Sequence, residues 1–69
     1  MEEPNDAAKI QLLQQMKTRW INTNYTASQE AHIAQVIGDP QMKAQAVTMM
    51  KHAMTAVDEL DKALAELIS

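Results

Sequence analysis

The sequence predicts an all-α protein, an antiparallel hairpin of two long helices that associates further into a helical bundle. Composition is the first reason. The 69 residues contain no Phe, a single Trp and a single Tyr, so the apolar content is Ala, Met, Ile, Leu and Val, which together with one Gly and two Pro favours helices over strands. The second reason is a turn motif near the middle, and the third is a long apolar periodicity after it. A chain this short forms one domain, residues 1–69.

The turn motif is Gly38-Asp39-Pro40. Glycine adopts the left-handed conformation that closes a helix, aspartate caps the next helix, and proline fits its first turn. All three stand in the order that a tight helix–helix connection requires. The motif predicts a first helix over about 6–37, a turn at 38–40 and a second helix over about 40–68.

The first helix has one apolar row and one weak segment. The row recurs every seven residues, as Leu13, Trp20, Ala27 and Ala34. Residues 21–26 are poor helix formers, and Thr26 with Gln29 has the spacing of a capping box. A break near 22–26 therefore remains open. One continuous helix is the preferred interpretation, because the row keeps its phase across the gap.

The second helix has two apolar rows, which we call the first and second ladders. Both alternate steps of four and three residues, which places each ladder along one side of a helix. The first ladder is Met42, Ala46, Met49, Ala53, Ala56, Leu60, Ala63 and Leu67. The second ladder is Val47, Met50, Met54, Val57, Leu64 and Ile68, and the polar Asp61 occupies the intermediate position between Val57 and Leu64.

One companion helix covers about one such ladder. The spacing alone does not decide which ladder faces the first helix. We assign the first to the hairpin, whose predicted seam is Leu13, Trp20, Ala27, Ala34, Met42, Met49, Ala56, Leu60 and Leu67. The whole second ladder is then predicted to bind a partner.

Charge gives independent support for the hairpin. The second helix has Lys43 and Lys51 in its first half and its carboxylates in the second, opposite to the order that the helix dipole favours. Folding the chain at 38–39 brings Lys17 and Arg19 near the carboxylates of residues 58–61, and Glu30 near Lys43 or Lys51. Each exposed pair contributes only about 0–1 kcal/mol. All of the expected pairs join opposite charges, and this agreement supports the antiparallel arrangement.

Several functions are excluded by composition. A net charge of −3 and a pI near 5.1 argue against nucleic acid as a partner. No apolar run approaches the roughly 18 residues of a membrane span. Residues 1–4, MEEP, are acidic and polar, unlike a signal peptide. We expect a cytoplasmic location, with export by a route that uses no cleaved signal left open.

No catalytic or metal-binding residue is predicted. The chain has no cysteine, no glycine-rich loop and no Ser/His/Asp set that could converge. The two histidines, His32 and His52, lack a carboxylate cluster at the spacing of helical metal ligands. We expect a protein that is not an enzyme and binds no cofactor.

The segment Gly38-Asp39-Pro40-Gln41, followed by an amphipathic helix in a short cysteine-free chain, resembles the small hairpin co-chaperones of type III secretion needle subunits. In that family the hairpin joins a larger helical-repeat chaperone, and together they cover the polymerisation helix of the needle subunit. The same corner, with Met42-Lys43-Ala44-Gln45 after it, is also similar to needle and inner-rod subunits. The likeness covers the architecture of the whole chain but only about eight residues of motif.

Two functions follow as expectations. A core this small rarely supplies more than about 3–5 kcal/mol of stability without disulfides, metal or association. The first expectation is an adaptor or co-chaperone of type III secretion that docks a helical protein through the second ladder. The alternative is a self-assembling structural subunit, either a needle-like or rod-like polymer or a four-helix homodimer.

Overall fold

The computed structural model describes residues 5–68, which form two helices, α1 (Asn5–Ile37) and α2 (Pro40–Ile68). Every described residue except Gly38 and Asp39 is helical, and the two helices contact each other along their length. The predicted all-α hairpin is confirmed, with both helix boundaries within one residue of the expected ones. The acidic opening at residues 1–4 and Ser69 lie outside the described residues.

The corner is held by backbone hydrogen bonds at the end of one helix and the start of the next. Gly38 has a φ of +74°, the left-handed conformation that the sequence predicted. The N–H of Gly38 donates to the carbonyl of Gln35 at 3.3 Å, and the N–H of Asp39 donates to that of Ala34 at 2.8 Å. This pair of bonds is a Schellman motif, which satisfies the last carbonyls of α1.

Asp39 then caps α2. Its Oδ1 accepts a hydrogen bond from the N–H of Met42 at 3.0 Å, and its carbonyl accepts the first helical bond, from Lys43, at 3.1 Å. Pro40 occupies the first helical position, where no N–H is needed. The predicted roles of all three turn residues are confirmed.

Helix α1 is continuous across the segment where a break was possible. Residues 22–26 are helical without interruption. Local propensity is weak here, and packing of the phased apolar row against α2 decides the outcome, since tertiary contacts commonly override propensity.

Two polar contacts between the helices define their register. The Nζ of Lys17 lies 2.6 Å from a carboxylate oxygen of Asp61, and the Nζ of Lys43 donates to Oε1 of Gln35 at 2.9 Å. In each pair the two residues are the same number of positions from Asp39 in the sequence. Any two residues at equal distances before and after Asp39 therefore lie level with each other across the hairpin. The expected pairing of Lys17 with the acidic part of α2 is confirmed. Lys43 pairs with an amide instead of the expected Glu30.

The core between the helices is made mostly of alanine. Among residues 6–68, six side chains are buried, and they are Ala27, Ala34, Ala46, Ala53, Leu60 and Leu64. The alanines lie in the half nearest the corner, and the leucines lie in the open half. Small side chains allow the helix axes to approach closely, so the molecule is slender, with extents of 57 × 14 × 13 Å. No side chain larger than alanine is completely enclosed among the described residues.

The first prediction concerns Gly38. A Cβ added there meets no atom within 4 Å, so Gly38→Ala introduces backbone strain without a clash. We expect the free energy of unfolding to fall by about 1 kcal/mol. Gly38→Asn is the matched control, because asparagine tolerates the left-handed conformation and loses less. Urea unfolding followed by circular dichroism measures both, and equal losses for the two variants would contradict the explanation.

Candidate protein-binding surface

The seam on α2 runs between the two predicted ladders and takes residues from both. The buried residues Ala46, Ala53 and Leu60 belong to the first ladder, while the buried Leu64 belongs to the second. Met50 and Val57 of the second ladder are half-buried. Neither ladder therefore faces α1 alone. The structure divides the apolar surface of α2 differently from the sequence-based assignment.

Two assignments need correction. Leu64 was predicted to bind a partner, but only 9% of it is exposed, so it belongs to the hairpin core. Met49 was predicted to lie in the seam, but it is 44% exposed. Both corrections have one cause: the seam is centred between the ladders, which turns one edge of each ladder inward and the other outward.

The other predicted seam residues lie at or beside the contact. Ala27, Ala34 and Leu60 are buried, and the remaining members are half-buried, as Leu13, Trp20, Met42, Ala56 and Leu67. Three large side chains of the open half thus keep part of their surface in solvent, and they are Leu13, Trp20 and Leu67. This half of the hairpin is only partly covered.

An apolar surface remains exposed on one side of the hairpin. We call it the docking strip and define it as Ile21, Val47, Met50, Met54 and Val57. Met54 is the most open member at 63% exposure and Ile21 is 49% exposed, while the other three are half-buried. The two polar contacts described above, Lys17–Asp61 and Gln35–Lys43, close its ends. Ile68, also predicted to bind a partner, is exposed but lies beyond the strip at the last helical residue.

The strip contains a shallow groove of about 220 Å³ between the helices. It is lined by Ile21, Asn24, Ala53, Met54, Val57 and Asp58. The Oδ1 atom of Asn24 is buried without a hydrogen-bond partner. A buried polar atom left unpaired costs about 1–3 kcal/mol, so a ligand that paired with it would recover that loss. The groove suits an apolar side chain that brings a hydrogen-bonding group with it.

A second exposed apolar cluster, which we call the corner patch, was not identified from the sequence. It consists of Ile33, Val36 and Ile37, all exposed, near the end of α1. Steps of three and four residues place the three on one part of the helix surface. Helical spacing puts Ile33 and Ile37 on the side of α1 away from Ile21 of the docking strip. Their i, i+3, i+4 pattern was the available signal.

Within the described part of the chain, the histidines and carboxylates do not come together as a metal-binding cluster. His32 and His52 are both exposed. Within residues 5–68, no three His, Asp or Glu side chains are close enough to share a metal ion. Asp58 is the one carboxylate that lines the groove in the docking strip.

The second prediction tests the corrected division of the ladders. Leu64→Ala should lower the free energy of unfolding by about 2–3 kcal/mol, because it removes a buried side chain. Met54→Ala should change it by less than about 0.5 kcal/mol, since Met54 is largely in solvent. Both are measured by urea unfolding at concentrations where the midpoint does not depend on concentration. A loss for Leu64→Ala as small as that for Met54→Ala would restore the original assignment of Leu64 to the partner-binding ladder.

Comparison with known protein families, with curated proteins and with solved structures finds no match to this chain. Neither helix, over the residues that the structure describes, combines the length and apolar character needed to cross a membrane.

Proposed function

We propose that this chain is a non-enzymatic adaptor that binds an α-helix of another protein on its docking strip. The observation that carries the proposal is the exposure of Met54 and Ile21 beside a groove whose polar Asn24 lacks a partner. Apolar side chains at helical spacing next to a groove are the usual receptor for an amphipathic helix. Two polar contacts mark the ends of the surface, which limits the docked segment to a few turns.

The weakness of the hairpin's own core supports the proposal. Four of the six buried side chains are alanines, each of which gains little on burial. The larger apolar side chains of both helices remain partly in solvent. Burial of more of them against a partner helix supplies stability at about 25 cal/mol per Å² of apolar area.

The methionines suit a surface that adapts to its ligand. Met50 and Met54 are unbranched and flexible, and such side chains fill irregular spaces at binding surfaces. A docked helix that contributes one apolar side chain to the groove would pack against Met54 and Val57. These contacts define the partner by its chemistry, as an amphipathic helix with an apolar edge.

The resemblance of the corner supports a more specific form of the proposal. In this form of the proposal, the chain is a co-chaperone of type III secretion. It acts in the bacterial cytoplasm on a helical-repeat chaperone and a needle subunit. The support is the segment Gly38-Asp39-Pro40-Gln41 and the amphipathic helix that follows it.

The third prediction tests the docking strip. Met54→Asp places a charge at its most exposed apolar position, and we expect at least a tenfold loss of partner capture, since a desolvated unpaired charge opposes docking. Thr55→Asp is the matched control, one residue away on the exposed polar side. Tagged chains are expressed in the native host, and co-purified proteins are identified by mass spectrometry. Capture of the same helical protein by wild type and by Met54→Asp would reject the strip.

A self-assembling structural subunit is the second candidate. The corner patch favours it, because open-ended growth requires two different complementary surfaces on each molecule. The docking strip and the corner patch are two such surfaces. Light scattering across a concentration series separates this candidate, which predicts a mass that keeps rising, from an adaptor.

A further inference from the structure

We infer that, without another protein bound, the docking strip is occupied by the strip of a second copy, with the two α2 helices antiparallel about a two-fold axis at Met54. The result is a closed four-helix bundle with the two corners at opposite ends. This inference rests on the proposed function in one respect, that the strip is a surface for docking a helix. The arguments for a second copy are charge, register and the unpaired Asn24.

The charges on α2 are complementary to themselves in the antiparallel direction. Lys51 and Asp58 are seven residues apart, so they occupy the same side of the helix, and both are exposed. Met54 and Thr55 lie midway between them. When two α2 helices run antiparallel about this midpoint, each Lys51 meets Asp58 of the other copy. Among the ion pairs within residues 5–68, neither residue is engaged.

The same axis brings apolar residues together. Met54 then faces Met54 of the second copy, and each Met50 packs beside Val57, which lies within one helical turn of its level. The apolar contact ends where Val47 reaches the Lys17–Asp61 pair of the other molecule. The apolar contact between the two strips is therefore bounded at each end by a Lys17–Asp61 pair.

The alignment is also selective. A slip of one heptad in one direction places Lys51 against Lys51, and a slip in the other direction places Asp58 against Asp58. Both alternatives replace attraction by repulsion at equivalent positions, as e and g charges do in coiled coils. Charge therefore selects the alignment that also unites the methionines.

Asn24 gives an independent indication of the axis. Because the hairpin register is symmetric about Asp39, Asn24 lies level with Met54, and both line the groove. An axis at Met54 therefore brings Asn24 next to Asn24 of the second copy. Two facing carboxamides can each donate an N–H to the other's oxygen, which would satisfy the Oδ1 atom that is buried and unpaired in one hairpin. A single buried asparagine pair is a known determinant of register in helical bundles.

The fourth prediction tests register by exchange of charge. Lys51→Asp and Asp58→Lys each turn two attractive contacts per dimer into repulsive ones, so each variant alone should dimerise on the order of tenfold more weakly. The double variant Lys51→Asp/Asp58→Lys should regain wild-type dimerisation. An equimolar mixture of the two single variants should form a heterodimer, because one carries only acidic and the other only basic groups at these positions. Sedimentation equilibrium measures all four, and circular dichroism confirms that each is folded.

The position of the axis is tested by a disulfide. The chain has no cysteine, so a single introduced thiol reports its own contacts. Met54→Cys should form a disulfide-linked dimer under mild oxidation at micromolar concentration, since residue 54 faces itself. Lys43→Cys is the matched control on the same helix, and it should remain uncrosslinked, because position 43 is far from its counterpart when the helices are antiparallel.

Three outcomes overturn the inference: a wild-type chain that is monomeric at high micromolar concentration, open-ended growth, or a dimer whose strength is unchanged by both single charge variants. Failure here is distinguishable from failure of the proposed function. If the chain is a monomer that still captures another protein through Met54, the dimer is rejected and the adaptor function stands. If the chain forms a dimer with the predicted charge pairing but captures another protein independently of Met54, the dimer stands and the adaptor function is rejected.

Discussion

The register set by the corner is the constraint on which every other feature depends. The left-handed Gly38 and the capping Asp39 reverse the chain within two residues, so the arms have no freedom to slide. A shift by one residue would rotate the apolar rows away from each other by about 100°. The contact between Lys17 and Asp61, far from the corner, shows that the same register persists along the hairpin. Because register is fixed, the level of Asn24 relative to Met54 is fixed too.

The alanine seam determines what the hairpin can and cannot bury. Close approach of the helices at Ala27 and Ala53 leaves no room for larger side chains between them. Those side chains are therefore displaced to the edges, where Met54 and Ile21 are exposed on one side. A seam of leucine and isoleucine would have held the arms farther apart and enclosed more apolar surface. The exposed strip is thus a consequence of the small residues inside.

The sequence predicted the corner and the register, but not the division of the ladders. The corner follows from glycine, aspartate and proline, whose backbone preferences act locally and need no knowledge of the partner helix. The position of the seam depends on how two helices rotate against each other, and two adjacent ladders of similar apolar character do not fix that rotation. Leu64 and Met49 were misassigned for this reason. The corner patch was missed because α1 carries isolated apolar residues on several sides, so its pattern has no dominant face.

The proposed docking of another protein and the inferred pairing with a second copy would use the same strip, so each would exclude the other. Competition of this kind makes the apparent affinity for the other protein depend on the fraction of free hairpins. In the inferred dimer, the second copy covers the exposed apolar surface until another protein binds, which protects against nonspecific association. The unpaired Asn24 makes that cover selective, because a purely apolar ligand would leave its Oδ1 atom unsatisfied. A helix that displaces the second copy must therefore bring both an apolar edge and a group that hydrogen-bonds to Asn24.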